Sequence, residues 1–211
     1  MSPGATTGRG PRTLVERLIL LLAGSLMATI CYAVTIRAGL GLGPLYVLQD
    51  GVARQLGFAI GTSVMVTGFA LVFVAVALRS WPGPGTLALP VLGGVTLDVL
   101  LPHLPNIHGW PARLVAVVVA TWVMALAGAM MIRASVGVAA YDAVMLGLRR
   151  VFGRPLGPTR IAMEMTALVA GWLLGGSVGV GTAITGLLIG PGIQFWLRLI
   201  GGSSRVLVQT T

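Results

Sequence analysis

Apolar residues in this chain fall in long uncharged runs, broken by short stretches rich in glycine and arginine. The first run, residues 18–36, holds 19 uncharged residues between Arg17 and Arg37, and a second of equal length, residues 114–132, lies between Arg113 and Arg133. About 20 apolar residues make one helical crossing of a bilayer, so each run predicts a transmembrane helix. A glycine-rich turn and a shorter segment of mixed polarity follow each of them, residues 44–56 and 140–152. As helices these short segments would reach only about 20 Å. A third pair of apolar segments runs from about 60 to 78 and from about 160 to 174, and a fourth from 86 to about 101 and from 182 to 197. The 33 residues from 165 to 197 contain no charge. They are too long for one helix and are broken at Gly175-Gly176-Ser177-Val178-Gly179-Val180-Gly181. The expected fold is therefore all-α, a polytopic transmembrane helix bundle of six long helices plus two short membrane helices.

The eight segments come in two sets of four. Residues 17–101 align without a gap on residues 113–197, with 18 identities over 85 positions. Arg17-Leu18 returns as Arg113-Leu114, and Ile36-Arg37-Ala38 as Ile132-Arg133-Ala134. Gly51-x-x-Arg54-x-x-Gly57-x-x-x-Gly61 returns as Gly147-x-x-Arg150-x-x-Gly153-x-x-x-Gly157, and Gly83-x-Gly85-Thr86 as Gly179-x-Gly181-Thr182. Apolar helices resemble one another by chance, but chance rarely keeps charges and loop glycines in one ungapped register. Two homologous repeats are expected, 14–102 and 113–200. A connector at 103–112 joins them, and they are flanked by a disordered cytoplasmic N-terminus at 1–13 and a C-terminal tail at 201–211. The run 18–36 exceeds the apolar core of a typical signal peptide and is expected to stay as a helix.

Counting arginines does not decide whether the short segments cross. Eight crossings or six both leave three arginines outside and eleven inside when the N-terminus is cytoplasmic. The arginines recurring at matched positions favour copies in the same orientation, that is, parallel repeats of four segments. The alternative is an inverted repeat of three crossings, a known transporter plan.

Composition agrees with this setting. Of 211 residues, 56% are hydrophobic and 9% charged, with mean hydropathy +0.95. Soluble domains carry about 25% charged residues, so a water-soluble enzyme is excluded, as is disorder. The net charge of +9 comes from 14 basic residues and 5 acids. In a soluble protein that balance would suggest nucleic acid; here the arginines punctuate apolar runs and serve as topology signals facing anionic lipid. The single Cys31 allows neither an intrachain disulfide nor a cysteine metal site.

Four of the five acids fall inside segments assigned to the membrane: Asp50, Asp98, Asp142 and Glu164. A charge at membrane depth is costly and normally faces a protein interior or a watery cavity with a partner. Arg160 and Glu164, four apart at the start of a helix, share one face. A tight connection around residues 153–157 would fold Asp142 back against them. That gives a candidate substrate or ion site of Asp142, Arg160 and Glu164, with a helix clasp as the structural reading. The first half does not repeat this triad: Arg160 aligns with Val64, Glu164 with Gly68 and Asp142 with Tyr46. Asp50 and Asp98 are the candidates for its contribution, with helix-end roles as the simpler reading. The Gly-Thr turns place Thr86 and Thr182 to cap the helices that follow. His103 and His108 stand in a proline-rich connector without acids, which points to no metal. Gly39-x-Gly41-x-Gly43 follows a transmembrane helix instead of a strand and is no dinucleotide fingerprint. No catalytic motif is present, so no enzyme and no cofactor are expected.

These residues resemble the YczE family of bacterial membrane proteins, and more distantly the YitT-like proteins. The second half carries the likeness in Gly137 to Asp142, Arg160-x-x-x-Glu164, Gly171-x-x-Leu174-Gly175-Gly176-x-x-Gly179-x-Gly181-Thr182 and Ile189-Gly190-Pro191. The first half adds Leu40-Gly41-x-Gly43-Pro44, Gly57-x-x-x-Gly61-Thr62, Gly85-Thr86 and Asp98. Where the family shows a Gly-x-Gly-Pro-Arg-Asp-like stretch, this chain reads Gly137-Val138-Ala139-Ala140-Tyr141-Asp142: the acid is kept, the proline and arginine are not. The resemblance covers residues 14–200 and implies a bacterial plasma membrane setting rather than an activity. The leading expectation is a small-molecule transporter or transport component, with the lipid bilayer and a small-molecule or ion substrate as partners. The alternative is a non-transporting membrane scaffold or regulator that docks a partner protein through Arg149, Arg150 and Arg154.

Overall fold

The computed structural model describes residues 13–136, 139–153 and 156–200. The expected disordered lead up to residue 12, the tail 201–211, Gly137, Val138 and Arg154 lie outside the described residues. Among the described residues all regular structure is helical: α1 (Leu14–Ala38), α2 (Pro44–Leu56), α3 (Ile60–Ala77), α4 (Pro84–Leu100), α5 (Trp110–Ala134), α6 (Ala140–Phe152), α7 (Leu156–Leu173) and α8 (Val180–Leu199), with a 3-10 turn at Leu101–His103. Six are long and two are short, as the apolar runs predict. The bounds of α5, α6 and α7 are those of α1, α2 and α3 displaced by 96 residues, and α8 starts 96 residues after α4.

Local chemistry sets these bounds. Thr13 and Glu16 form a capping box at the start of α1: the Thr13 hydroxyl accepts from the Glu16 amide at 3.2 Å, and the Glu16 carboxylate accepts from the Thr13 amide at 3.3 Å. Both short helices stop at a glycine in the left-handed region, Gly57 (φ 66°) and Gly153 (φ 63°), a conformation that favours a residue without Cβ. Helices α4 and α8 begin two residues ahead of the expected Thr86 and Thr182. Each threonine is thus the third helical residue instead of the cap, and the Thr182 hydroxyl accepts from the Gly179 amide behind it at 3.1 Å. Likewise α7 starts at Leu156, ahead of the expected 160, because Pro158 fits a first helical turn, where its missing N–H costs no bond.

The helix directions follow from a few contacts. Arg113, near the start of α5, donates to the carbonyls of Ala38 and Gly39 at the end of α1, while Gly24 lies against Ala127 and Met131 near the end of α5. Helices α1 and α5 are therefore antiparallel. In the same way Gly61 meets Asp98 and Gly68 meets Pro90, so α3 opposes α4; Leu21 meets Gly85 and Thr29 meets Gly93, so α4 runs with α1. Thr121 meets Thr185 and Ala125 meets Gly192, so α8 runs with α5. Helix α7 ends where α1 ends, since the Leu42 amide donates to the Ser177 carbonyl just past it.

This arrangement corrects the parallel reading. Helix α2 does not traverse the bundle: Ser63, one turn into α3, donates to the Gln49 carbonyl at 2.6 Å, and Gln55 donates to the Leu174 carbonyl at 3.3 Å just past α7, so α2 stays near one end. Helix α6 stays near the other, with Gly147 against Leu78 and Ser80 past the end of α3. Each half then has three long helices, an odd number, and the second half starts in the opposite direction. The connections repeat this relation: the Gly181 amide donates to the Leu40 carbonyl at 2.7 Å, and the Gly85 amide to the Val136 carbonyl at 3.4 Å, each position 96 residues from its counterpart.

Small residues let the short helices approach. A Cβ built at Gly171 of α7 would stand 2.4 Å from the Leu48 nitrogen, so α2 and α7 touch backbone to backbone. The largest buried cluster joins Tyr32, Val47, Leu97 and Met124 from α1, α2, α4 and α5. Beside it Tyr32 stacks on Tyr46 with ring centroids 3.8 Å apart.

Candidate functional site

The three residues singled out in the second half converge. Glu164 lies one turn after Arg160 on α7, and the Arg160 Nε donates to the Glu164 Oε1 at 3.0 Å. Asp142 in the first turn of α6, where a helix N-terminus favours an acid, brings its Oδ1 to 3.9 Å from Arg160 Nη1. One guanidinium thus lies between two carboxylates from different helices, a local net charge of −1. The side chains keep 41% (Arg160), 34% (Asp142) and 23% (Glu164) of their exposure, so a ligand or proton has access to all three.

Beside the triad is a cavity of about 620 Å³ lined by α2, α3, α6 and α7. Its walls are mostly apolar, including Leu45, Leu48, Leu71, Leu148, Met163 and Ala167. The charged triad does not line it, but the chain neighbours Tyr141, Thr159 and Met163 do, which sets the charges at its margin. The Tyr141 hydroxyl is buried without a hydrogen-bond partner, an expensive state for a polar group. Sequence reasoning did not single out Tyr141 as a site residue, nor the cavity. A tyrosine next to the one acid in the first turn of α6 was the available signal; the cavity depends on helix placement and leaves none.

The two first-half acids lie elsewhere. Asp50, 7% exposed, meets Arg54 at 3.1 Å and accepts from the Ser177 amide at 2.8 Å, while Arg54 also donates to the Ser177 hydroxyl at 3.0 Å. These bonds stitch α2 to the connection between α7 and α8. Asp98 accepts from the Gly61 amide at 2.6 Å and the Thr62 hydroxyl at 3.0 Å, and so caps the first turn of α3. Neither reaches the triad, because Asp50 and Asp98 both sit at the bundle end where α1 finishes and Asp142 sits at the other. Among the described residues no three His, Cys, Asp or Glu side chains gather as a metal site requires.

Five helices, α1, α3, α4 (extended to His103), α5 and α8, are long and apolar enough to cross a bilayer. With long apolar side chains such as Phe73, Leu187 and Leu173 facing outward at 73–76% exposure, the fold is that of a polytopic helical membrane protein. The chain belongs to a family of unknown function, DUF6198, whose model matches residues 15–198. It is 29% identical over 186 residues to an uncharacterized protein of Haemophilus influenzae, covering 86% of this chain and 83% of the relative. It is 26% identical over 186 residues to the uncharacterized membrane protein YczE of Bacillus subtilis, covering 87% and 86%. The resemblance read from the motifs is thereby borne out. No solved structure matches the chain.

Proposed function

We propose that this protein is a small-molecule carrier, or a component of one, in a bacterial plasma membrane with its N-terminus in the cytoplasm. The observation that carries the reading is the convergence of Asp142, Arg160 and Glu164 at the margin of an apolar cavity flanked by both short helices. Charges left partly accessible at the edge of an apolar chamber suit a site that must bind and then release. Helix bounds that recur at 96 residues support reading the halves as copies of one unit, and their opposed directions suit alternating access, in which one half rocks against the other. Arg160 would alternate between the protein carboxylates and the polar part of the substrate, with the apolar body in the cavity and the Tyr141 hydroxyl supplying a further hydrogen bond.

Flux into proteoliposomes, measured with a panel of small metabolites, tests this. Arg160→Ala and Glu164→Gln are expected to lower flux of any transported compound by about tenfold or more while insertion stays normal, since each removes a charge-assisted bond. Undiminished flux in both variants would remove the site; no flux of any compound in the unaltered protein would remove transport.

A further inference from the structure

The Arg160 guanidinium holds its two carboxylates unequally. Its Nε donates to Glu164 Oε1 at 3.0 Å, a formed hydrogen bond within α7. Its Nη1 stands 3.9 Å from Asp142 Oδ1 on α6, an ion pair longer than a hydrogen bond. The outer edge of the guanidinium and the Asp142 carboxylate therefore attract each other across a gap, and their side chains are 41% and 34% exposed. In the first half the positions matching Arg160 and Asp142 hold Val64 and Tyr46, so this gap belongs to the second half alone.

What can fill the gap follows from charge. A ligand carboxylate alone would take the Nη edge in a two-pronged bond and leave Asp142 facing a second anion. A ligand ammonium alone would take Asp142 and give that edge of Arg160 a cation for a neighbour. A ligand carrying both groups on one carbon pairs with each ion and adds no net charge, a gain where charge is costly. The cavity beside the triad then receives the rest of the molecule, since its lining residues Tyr141 and Thr159 directly precede Asp142 and Arg160 in the chain. Its volume of about 620 Å³ falls within the roughly 300–1,000 Å³ of small-molecule sites. Walls of Leu45, Leu71, Leu148, Phe152 and Met163 suit a large apolar side chain. The buried Tyr141 hydroxyl, which lacks a partner among the described residues, is free to accept from the ammonium.

We infer that the site takes a free α-amino acid with a large apolar side chain, an assignment that rests on the carrier reading above and gives its substrate class. The ligand carboxylate lies on Nη1 and Nη2 of Arg160, its ammonium on Asp142 and the Tyr141 hydroxyl, and its side chain in the cavity. Glu164 touches no part of the ligand: its bond to Nε holds the guanidinium with the outer edge turned to the gap.

The test is equilibrium dialysis of labelled ligands against the full-length protein in neutral detergent. The probes are phenylalanine, phenylpropionate and phenethylamine, which share one apolar body and carry both charges, the negative or the positive, together with alanine. Phenylalanine should bind most tightly. Each single-charge analogue should bind about tenfold to 100-fold more weakly, the loss of one charge-assisted bond, and alanine about 30-fold more weakly, the loss of a buried ring. Asp142→Asn should erase the advantage over phenylpropionate and keep that over phenethylamine; Arg160→Gln should do the reverse. A variant that merely loosens the fold would instead weaken all probes alike. Either analogue binding as tightly as phenylalanine, alanine doing so, or none of the four binding would overturn the proposal. Flux separates it from the carrier reading. Phenylalanine bound in this pattern but not carried into proteoliposomes would uphold the site and remove transport. Flux of another compound with no binding of phenylalanine would overturn the substrate class and leave transport standing.

Discussion

Gly171 and Gly186 are the same residue on successive long helices, yet replacing them should have opposite effects. A methyl at Gly171 would meet the Leu48 nitrogen at 2.4 Å and the Val47 carbonyl carbon at 2.5 Å, both backbone atoms that cannot swing aside. Gly171→Ala is expected to cost about 2–3 kcal/mol, the range for overpacking a tight contact. At Gly186 nothing lies within 4 Å, so Gly186→Ala should stabilise α8 by about 0.5–1 kcal/mol through helix propensity alone. Thermal unfolding in detergent measures both; a harmless Gly171→Ala would mean that α2 and α7 are not in backbone contact. Asp98 is a second case in which surroundings settle what residue type leaves open. With two bonds to the first turn of α3, Asp98→Ala should cost about 1–2 kcal/mol. Asp98→Asn, which still offers an oxygen, should cost less. Neither should change flux per folded molecule, and a selective loss of flux would return Asp98 to the site.

At the scale of elements, the number and order of the helices were legible and their directions were not. Runs of uncharged residues give the crossings because a bilayer demands length and apolarity and little else. The ends were legible where a glycine marks them, as at Gly57 and Gly153, whereas the Thr13–Glu16 box that starts α1 four residues ahead of the run 18–36 was not read. The Arg160–Glu164 pair was readable because four residues make one helical turn, and Asp142 joined it because the connection to α7 is short. Tyr141 and its cavity were not readable, since four helices from both halves build that space. Helix-end roles were the simpler reading for Asp50 and Asp98, but their partners were hidden, because Ser177 and Gly61 lie 127 and 37 residues away in the chain.

For the whole molecule, the distribution of charge argues for one orientation. The bundle end where α1 starts carries Arg17, Arg79, Arg133, Arg149, Arg150, Arg160 and Arg198 against Glu16, Asp142 and Glu164; among the described residues that is 7 − 3, or +4. The opposite end carries Arg37, Arg54 and Arg113 against Asp50 and Asp98, 3 − 2, or +1. Positive loops stay in the cytoplasm, so the end holding α6 should face inward and the end holding α2 outward. The arginines matched between the halves misled as a guide to parallel repeats because each long first helix bears one at both ends. A second half that starts in the opposite direction puts Arg113 beside Ala38 at the end marked by Arg37, so matched pairs recur whichever way that half points. Single cysteines introduced after Cys31→Ala separate the two plans. Pro105→Cys, on the connector between halves, and Gly157→Cys, at the start of α7 where an added side chain meets nothing within 4 Å, lie at opposite ends of the bundle. In intact cells an impermeant maleimide should label position 105 and spare 157 until the membrane is opened. Labelling of 157 with protection of 105 would reverse the orientation and leave the fold standing, whereas equal labelling of both from one side would mean that the halves are not inverted.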